Sequence, residues 1–428
     1  MTAVVVLALP AAAFAVDVGG LSLSGNLESQ TLIRHAAIDD LQLVQNRNTL
    51  RARADWDWLD DGRWLGGIAL PFLADWNAVL QYRGVYDSLY DIAPSDRQHG
   101  QERFDDLVGG RISDLSHARR RDLAFDNELR EAYFDLRLAD APVSLRLGLQ
   151  QVVWGEADYF RLMDFWNPID VRWHLQQEAS WDEIRIPLWL LKAVWEVGEV
   201  GPLRDSYVEV VYNPGDYRPG IVTDFLPRPW ALPFPDPLRA GQVQFDPETR
   251  FTLTPRFDLQ GTTVQRGRFH RGPKDASEIG LRVHGSLDNG LEVTANYFWG
   301  RGRAVGAASP FAVRIESVDL PRVPGLGATA VGSYQVDPRD PSSVVPVYPI
   351  DVVAEVVHPY LHIFGLTLKY FDSTWTQSSF RLETAYVKGV PFQTIEPDEL
   401  VAVALQGRSV PPGFLFDLGR APLGYAER

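Results

Sequence analysis

Apolar and polar residues alternate along several stretches of the chain. In LRARADWDW, residues 50–58, every second position is apolar or aromatic and the positions between carry Arg or Asp. The same alternation occurs in AYFDLRL (132–138), in VSLRLGLQ (143–150), and in the late pair LHIFGLTLKYFD and SSFRLETAYVKG. A period of two residues is that of a strand whose two faces differ in polarity. The sequence therefore predicts a protein built from antiparallel β-strands.

One hairpin can be predicted residue by residue. GLRVHGSLDNGLEVTANYFWG alternates on both sides of Asp288-Asn289-Gly290. Asn-Gly supplies the two positive-φ residues that a type I′ turn needs. We expect a strand before this turn and a strand returning from Leu291 to Trp299.

The polar faces of these strands carry full charges of both signs, and the apolar faces end in aromatic residues such as Trp56, Trp58, Trp299, Tyr370 and Tyr386. A transmembrane barrel has an apolar outside, a polar inside and aromatic girdles at both interfaces. A soluble antiparallel sheet also alternates, so both alternatives stay open, with the barrel favoured. The residues predicted to line its interior wall are Arg51, Arg53, Asp55, Glu131, Asp135, Arg137, Arg146, Arg381 and Glu383.

Composition narrows the class further. The formal net charge is −15, which argues against nucleic acid as a partner, and the chain has no cysteine. No stretch long and apolar enough for a helical membrane span follows the N-terminus. Three segments, 87–121, 213–255 and 305–359, are polar or rich in Pro and Gly. They are predicted to be long loops, as outer-membrane barrels have on one side.

The two ends of the chain raise separate expectations. MTAVVVLALPAAAFA is an apolar run ending in Ala-Phe-Ala, and we expect residues 1–15 to be a signal peptide remnant, with residues 16–428 as one domain. A basic residue before the run is missing, and a buried N-terminal strand or helix is the alternative. The chain ends GRAPLGYAER, without an alternating strand. We therefore expect an incomplete barrel that lacks its C-terminal part.

One motif stands out from the strands. LRLGLQQVVWGE at 145–156 is followed closely by NPID at 167–170. The spacing resembles LRxGxQxVxWGE…NPxD of domain-of-unknown-function family 1302, a family of bacterial outer-membrane β-barrels placed near alginate-export barrels and porins. REAYFDLRL at 130–138 and FRLETAY at 380–386 are also similar to its strands. The resemblance extends from about residue 50 to about residue 392.

The resemblance implies an antiparallel outer-membrane β-barrel that moves hydrophobic or lipid-like molecules as a passive channel or conduit. It also implies outer-membrane lipids, a periplasmic lipid carrier and an inner-membrane transporter as partners, in a bacterial outer-membrane location. No cofactor is implied, and the oligomeric state stays open.

The run after Trp154 is dense in acidic and aromatic residues. We expect it to leave the strand and fold at or inside the barrel mouth, where it would narrow the channel. The candidates for this constriction are Trp154, Glu156, Asp158, Arg161, Asp164, Asn167 and Asp170, with Trp154 placed at the girdle. Paired carboxylates also suit acid–base catalysis, so a barrel enzyme such as a lipid hydrolase is a second hypothesis. A soluble periplasmic β-protein binding carbohydrate or lipid is a third. We expect no enzyme, because no nucleophile–histidine pair, phosphate loop or metal motif accompanies the acids.

Overall fold

The fold is given by a computed structural model of the 428-residue chain. It describes residues 3–35, 41–60, 63–64, 71–92, 121, 124–156, 162–170, 181–218, 256–266, 273–302, 312–319, 333–337, 340–357 and 360–390. The chain divides into two compact units. Unit 1 comprises Met1–Phe234, His270–Ser309 and Tyr360–Val387, and unit 2 comprises Pro235–Phe269, Pro310–Pro359 and Lys388–Arg428.

Unit 1 is built on a 13-stranded sheet. Its strands are β1 (Ala3–Val18), β2 (Leu21–His35), β3 (Leu41–Asp60), β4 (Arg63–Trp64), β5 (Leu73–Asp87), β6 (Phe125–Leu138), β7 (Val143–Gln150), β8 (Leu188–Val200), β9 (Leu203–Asn213), β11 (Glu278–Leu287), β12 (Leu291–Arg301), β16 (Tyr360–Asp372) and β17 (Ser378–Lys388). Neighbouring strands pair in chain order, with β4 beside β3, and β1 and β17 lie at the edges of the described path. The pairings are antiparallel. The prediction of an all-β antiparallel fold is confirmed.

Helix is scarce in the described residues. The helices are single turns, α1 (Leu89–Ile92), α2 (Trp181–Ile184) and α3 (Pro273–Ala276). None of the helices in the described ranges has the length and apolar character needed to cross a membrane.

The predicted strands are present, and one turn differs from its prediction. The alternating stretches at 50–58, 132–138 and 143–150 fall in β3, β6 and β7. The predicted hairpin is β11–β12, but positive φ occurs at Gly290 (+83°) and not at Asn289. Gly290 N donates to Leu287 O at 2.9 Å. The prediction of a type I′ turn was therefore wrong. The connection is a three-residue turn that ends in a glycine with left-handed backbone conformation.

At the N-terminus the structure forms a strand. β1 pairs with β2 from Ala3↔His35 to Val18↔Leu21. The apolar run pairs as a strand at the sheet edge, but Phe14, Val16 and Val18 at its end are exposed, so the alternative of a buried element does not fit this end. Removal of residues 1–15 on export, and a single domain over 16–428, stay predictions.

The two faces of the unit 1 sheet have an inverted polarity. One face, here called the exposed face, is solvent-accessible and carries large apolar side chains along the sheet: Leu23, Leu27, Leu50, Trp56, Leu80, Phe134, Trp189, Leu191, Trp195, Val210, Ile279, Leu281, Val283, Phe364, Leu366, Phe380, Leu382 and Tyr386. The opposite face, here called the covered face, buries polar and charged side chains: Gln45, Arg47, Thr49, Arg83, Gln150, Arg282, Thr294, Asn296 and Thr367. A water-soluble sheet has the reverse arrangement.

Unit 2 contains a separate four-stranded sheet of β10 (Arg256–Arg266), β13 (Ala312–Asp319), β14 (Ser333–Asp337) and β15 (Asp340–Val357). β10 pairs with β15 in parallel, and β13 and β14 pair with β15 antiparallel. The interpretation of 305–359 as one long loop was wrong. β15 is rich in β-branched valines, which favour strands and outweighed the prolines of this segment. Most of the predicted loops 87–121 and 213–255 lies outside the described residues.

Candidate functional site

The residues between β7 and β8 fold back onto the covered face of the unit 1 sheet. The described part comprises 151–156, 162–170 and 181–187, here called the β7–β8 segment. It has an apolar half and a charged half, and each half meets a matching part of the sheet.

The apolar half packs against β8, β9, β12 and β16. Trp154, Met163, Phe165 and Trp166 join a buried cluster with inward-facing side chains of these strands, among them Phe298. The Trp166 and Phe298 rings pack edge-on with their centroids 4.9 Å apart. The Trp154 and Trp166 rings pack edge-on with their centroids 5.6 Å apart. Trp154 Nε1 donates to Glu209 Oε1 at 2.5 Å, which satisfies the indole inside the cluster. Aromatic packing therefore holds this half in place.

Gly280 on β11 makes room for this cluster. A Cβ added there would lie 2.5 Å from Trp166 Cζ2 and 2.6 Å from Trp154 Cη2. We expect Gly280→Ala to lower the free energy of unfolding by about 1–3 kcal/mol, since two rigid indole rings must shift. The measurement is the midpoint of denaturant unfolding. Gly365→Ala is the matched control, because its Cβ would meet the flexible end of Met163. Equal losses in both variants would contradict the argument.

Asn167 fastens the two ends of the segment to each other. Its Oδ1 accepts the amide of Val152 at 2.7 Å, and its Nδ2 donates to Ile186 O at 2.9 Å. Next to it, Ile186 N donates to Pro168 O at 2.7 Å. The NPID motif is thus a clasp between the exit from β7 and the entry to β8, and its asparagine is buried.

A buried ion pair lies beside this clasp. Arg185 Nη2 and Nε donate to Asp164 Oδ2 at 2.7 and 2.9 Å. The two side chains are 7% and 4% exposed. Such a pair fixes a conformation, because either charge alone would be costly to bury.

The charged half of the segment meets β3, β5 and β6. Glu183 of α2 accepts hydrogen bonds from Arg51 Nε at 2.7 Å and from Arg83 Nη1 at 3.2 Å. Burial acts to raise the pKa of the Glu183 carboxyl. The hydrogen bonds and charges of Arg51 and Arg83 outweigh it and hold the pKa below its ordinary value.

This lowered pKa predicts an acid-sensitive attachment of α2. The stabilisation of the folded state by Glu183 is present above the ordinary pKa of its carboxyl. It is lost as pH falls through the lowered pKa of the folded state. We expect the amides of Asp170 and Ile186, which are hydrogen-bonded in the segment, to exchange hydrogen faster as the pH falls below the ordinary pKa of a glutamate carboxyl. Comparison with Glu183→Gln at each pH removes the intrinsic pH dependence of exchange. Parallel profiles of the two proteins would contradict this prediction.

The residues predicted for the interior wall lie on the covered face. Arg53 binds Asp55 at 2.8 Å and Glu131 at 3.1 Å, and Arg51 binds Glu28 at 2.9 Å. Two further predicted residues form a separate pair on the same face.

Arg146 of β7 forms a two-bond fork with Asp135 of β6. Its Nε and Nη2 donate at 2.7 and 2.8 Å, and its guanidinium lies 4.1 Å from the Tyr133 ring centroid. Arg137 lies two residues beyond Asp135, with an exposed side chain beside a cavity of about 480 Å³ at the β6–β7 turn.

The structure places Glu156 beside Arg381 and Glu383, which were predicted to line the interior wall. Arg381 Nη1 donates to Glu156 O at 3.2 Å, and Glu383 accepts the amide of Glu156. Asp170 lies in the isolated bridge where Ile169 pairs with Arg185. Asp158 and Arg161 lie outside the described residues.

Trp154 corrects one prediction. Its placement in the aromatic girdle was wrong, because the side chain is 1% exposed and lies in the cluster on the covered face.

Sequence reasoning missed Arg83, Arg130, Asp182, Glu183 and Glu209. Arg83 lies in QYRGVYD, which alternates less clearly than its neighbours. Within the described residues, no group of three His, Asp or Glu side chains is arranged to hold a metal ion.

Comparison with models of protein families identifies a match over most of the chain. The sequence model of the family described as protein of unknown function (DUF1302) matches residues 63–427. No curated protein matches the chain.

Proposed function

The chain belongs to the DUF1302 family, and we propose on that premise that it is an outer-membrane β-barrel acting as a passive conduit. The observation that carries the proposal is the inverted polarity of the unit 1 sheet. Large apolar side chains remain accessible along one face, while arginines and amides are buried on the other. Lipid is the solvent in which such an exposed face is stable.

Aromatic side chains strengthen the proposal at both ends of the exposed face. Trp189 is the second residue of β8 and lies at one end of that strand. On β12 and β16, Trp299 and Tyr360 stack at 4.7 Å at one end, and Tyr370 is exposed at the other. The spacing suits two interfacial girdles around an apolar band of about 25 Å.

In this proposal the covered face lines the lumen and the β7–β8 segment narrows it. Aromatic residues pack the segment against β8, β9, β12 and β16, and arginines of β3, β5 and β6 line a cavity on its other side. That combination suits an amphiphilic, lipid-like cargo. Outer-membrane lipids would surround the barrel. A periplasmic lipid carrier and an inner-membrane transporter are the proposed partners on the periplasmic side.

Extraction tests the location. Cells producing the chain are fractionated, and the membranes are washed with buffer and alkaline carbonate, then with detergent. We expect the protein in the outer-membrane fraction and its release by detergent alone. Release by buffer would instead support a soluble periplasmic β-protein and overturn the barrel.

Ion selectivity tests the conduit. Arg137→Ala combined with Arg146→Ala removes two cations from the proposed lumen, so we expect the permeability of reconstituted channels to shift toward cations. Arg204→Ala is the control, because Arg204 pairs with Glu199 and Asp288 at the strand ends. Unchanged selectivity in verified channels would contradict the placement of Arg137 and Arg146 in the lumen.

A further inference from the structure

Two arginines face each other directly across β3 and β5. The register pairs Arg51 with Arg83, and both side chains lie on the covered face. Like charges in opposite positions of an antiparallel pair are destabilising unless an anion lies between them. Glu183 is that anion, since one of its oxygens accepts Arg51 Nε at 2.7 Å and the other accepts Arg83 Nη1 at 3.2 Å.

The bridge is separate from the other ion pairs of these arginines. Arg51 Nη1 keeps Glu28 at 2.9 Å, and Arg83 Nη2 keeps Glu128 at 2.8 Å. Withdrawal of Glu183 would therefore leave both side chains anchored, with two donors still converging on one position. The two arginines thus form a preorganised carboxylate receptor, and Glu183 occupies it.

A cavity adjoins this receptor. It measures about 360 Å³ and is lined by the four arginines Arg51, Arg53, Arg83 and Arg130, by the three carboxylates Glu131, Asp182 and Glu183, and by Gln81, Gln151 and Val153. The arginine side chain of Arg83 is 6% exposed, and its Nε is buried without a hydrogen-bond partner among the described residues. The cavity is large enough for a carboxylate with several attached carbons, given about 30 Å³ per water.

We propose that Arg51 and Arg83 form a binding site for an organic carboxylate, and that Glu183 is a built-in competitor which the ligand displaces. The binding itself rests on the geometry of the three residues. The further step, that the site selects a cargo bearing a carboxylate, rests on the proposed conduit function. Because Glu183 is tethered through α2, it competes at a high effective concentration, so the unaltered protein binds free carboxylates weakly.

Benzoate is the probe for this site, and benzamide is its neutral counterpart. Titration calorimetry uses the full chain in whichever medium keeps it soluble, detergent or buffer. We expect Glu183→Gln to bind benzoate about tenfold more tightly than the unaltered protein, since a charged competitor has been removed. The affinity for benzamide should be the same in both proteins. Adding Arg83→Gln to Glu183→Gln should abolish the gain.

Two matched variants separate the site from a general change of charge. Glu28→Gln removes a carboxylate from Arg51 without opening the bridge, and Glu199→Gln removes an exposed carboxylate elsewhere. Both should leave benzoate binding unchanged. An equal gain in either variant, tighter binding of inorganic phosphate than of benzoate, or no gain in a folded Glu183→Gln protein would overturn the proposal. The titration requires neither conductance nor membrane residence, so failure of the conduit would leave its result intact.

Discussion

In the proposed barrel, Val283→Arg is expected to lower the free energy of unfolding in lipid by about 2–4 kcal/mol, the cost of a cation on the lipid side near the bilayer midplane. Val283 lies in the middle of β11, opposite Val208 on one side and Ala295 on the other. Its side chain is 43% exposed, so the substitution creates no cavity and breaks no ion pair. In water, a substitution at such a surface position would change stability by about 0.5 kcal/mol or less. Denaturant unfolding of the protein folded into lipid vesicles measures the difference.

Trp375→Arg is the control for this substitution. Trp375 lies in the turn between β16 and β17 and is 92% exposed. Near an interface the same cation costs about 0–1 kcal/mol. The prediction therefore concerns how the cost of the added arginine depends on its depth in the bilayer. A small and equal effect at both positions would show that the exposed face does not meet lipid.

Strand positions could be predicted from the sequence because a period of two is a local property. β7 has the predicted bounds, Val143–Gln150, and the polar side of β3 is the side that the structure buries. The register shift between β5 and β6 has no such local signal. It turns Arg130 toward the covered face beside Glu131, and both line the arginine-rich cavity. Alternation assigns consecutive residues to opposite faces, so this part of the site could not be found from the pattern.

The candidate site was only partly predictable for a related reason. The WGE…NPID run identified where the chain leaves the strand, and Asn167 and Asp164 are indeed central to the β7–β8 segment. The partners of this segment are remote in sequence. Glu183 is 132 residues from Arg51, and a single sequence carries no record of such a pairing. β15 shows a different limit, because its prolines suggested a loop where a valine-rich segment forms a strand.

Asp164→Asn is expected to lower the free energy of unfolding by about 3 kcal/mol, at the lower end of the usual cost of breaking a buried pair. The amide keeps the shape of the carboxylate but leaves the buried guanidinium of Arg185 without its buried counter-ion. Arg185 retains Asp182 at 2.5 Å, and that carboxylate is 82% exposed, so it compensates only in part. The measurement is the denaturant midpoint at fixed pH, together with proteolysis within the β7–β8 segment.

The control is Asp182→Asn, which removes the exposed partner of the same arginine and should cost about 1 kcal/mol or less. The double variant Asp164→Leu with Arg185→Met removes both buried charges, and it should recover most of the lost stability. Recovery of stability without recovery of protection from proteolysis would mean that the pair fixes the position of the segment rather than its stability. If Asp164→Asn and Asp182→Asn cost the same, Asp164 and Arg185 do not form a buried pair in solution, and the β7–β8 segment is held by its aromatic cluster and Asn167 instead.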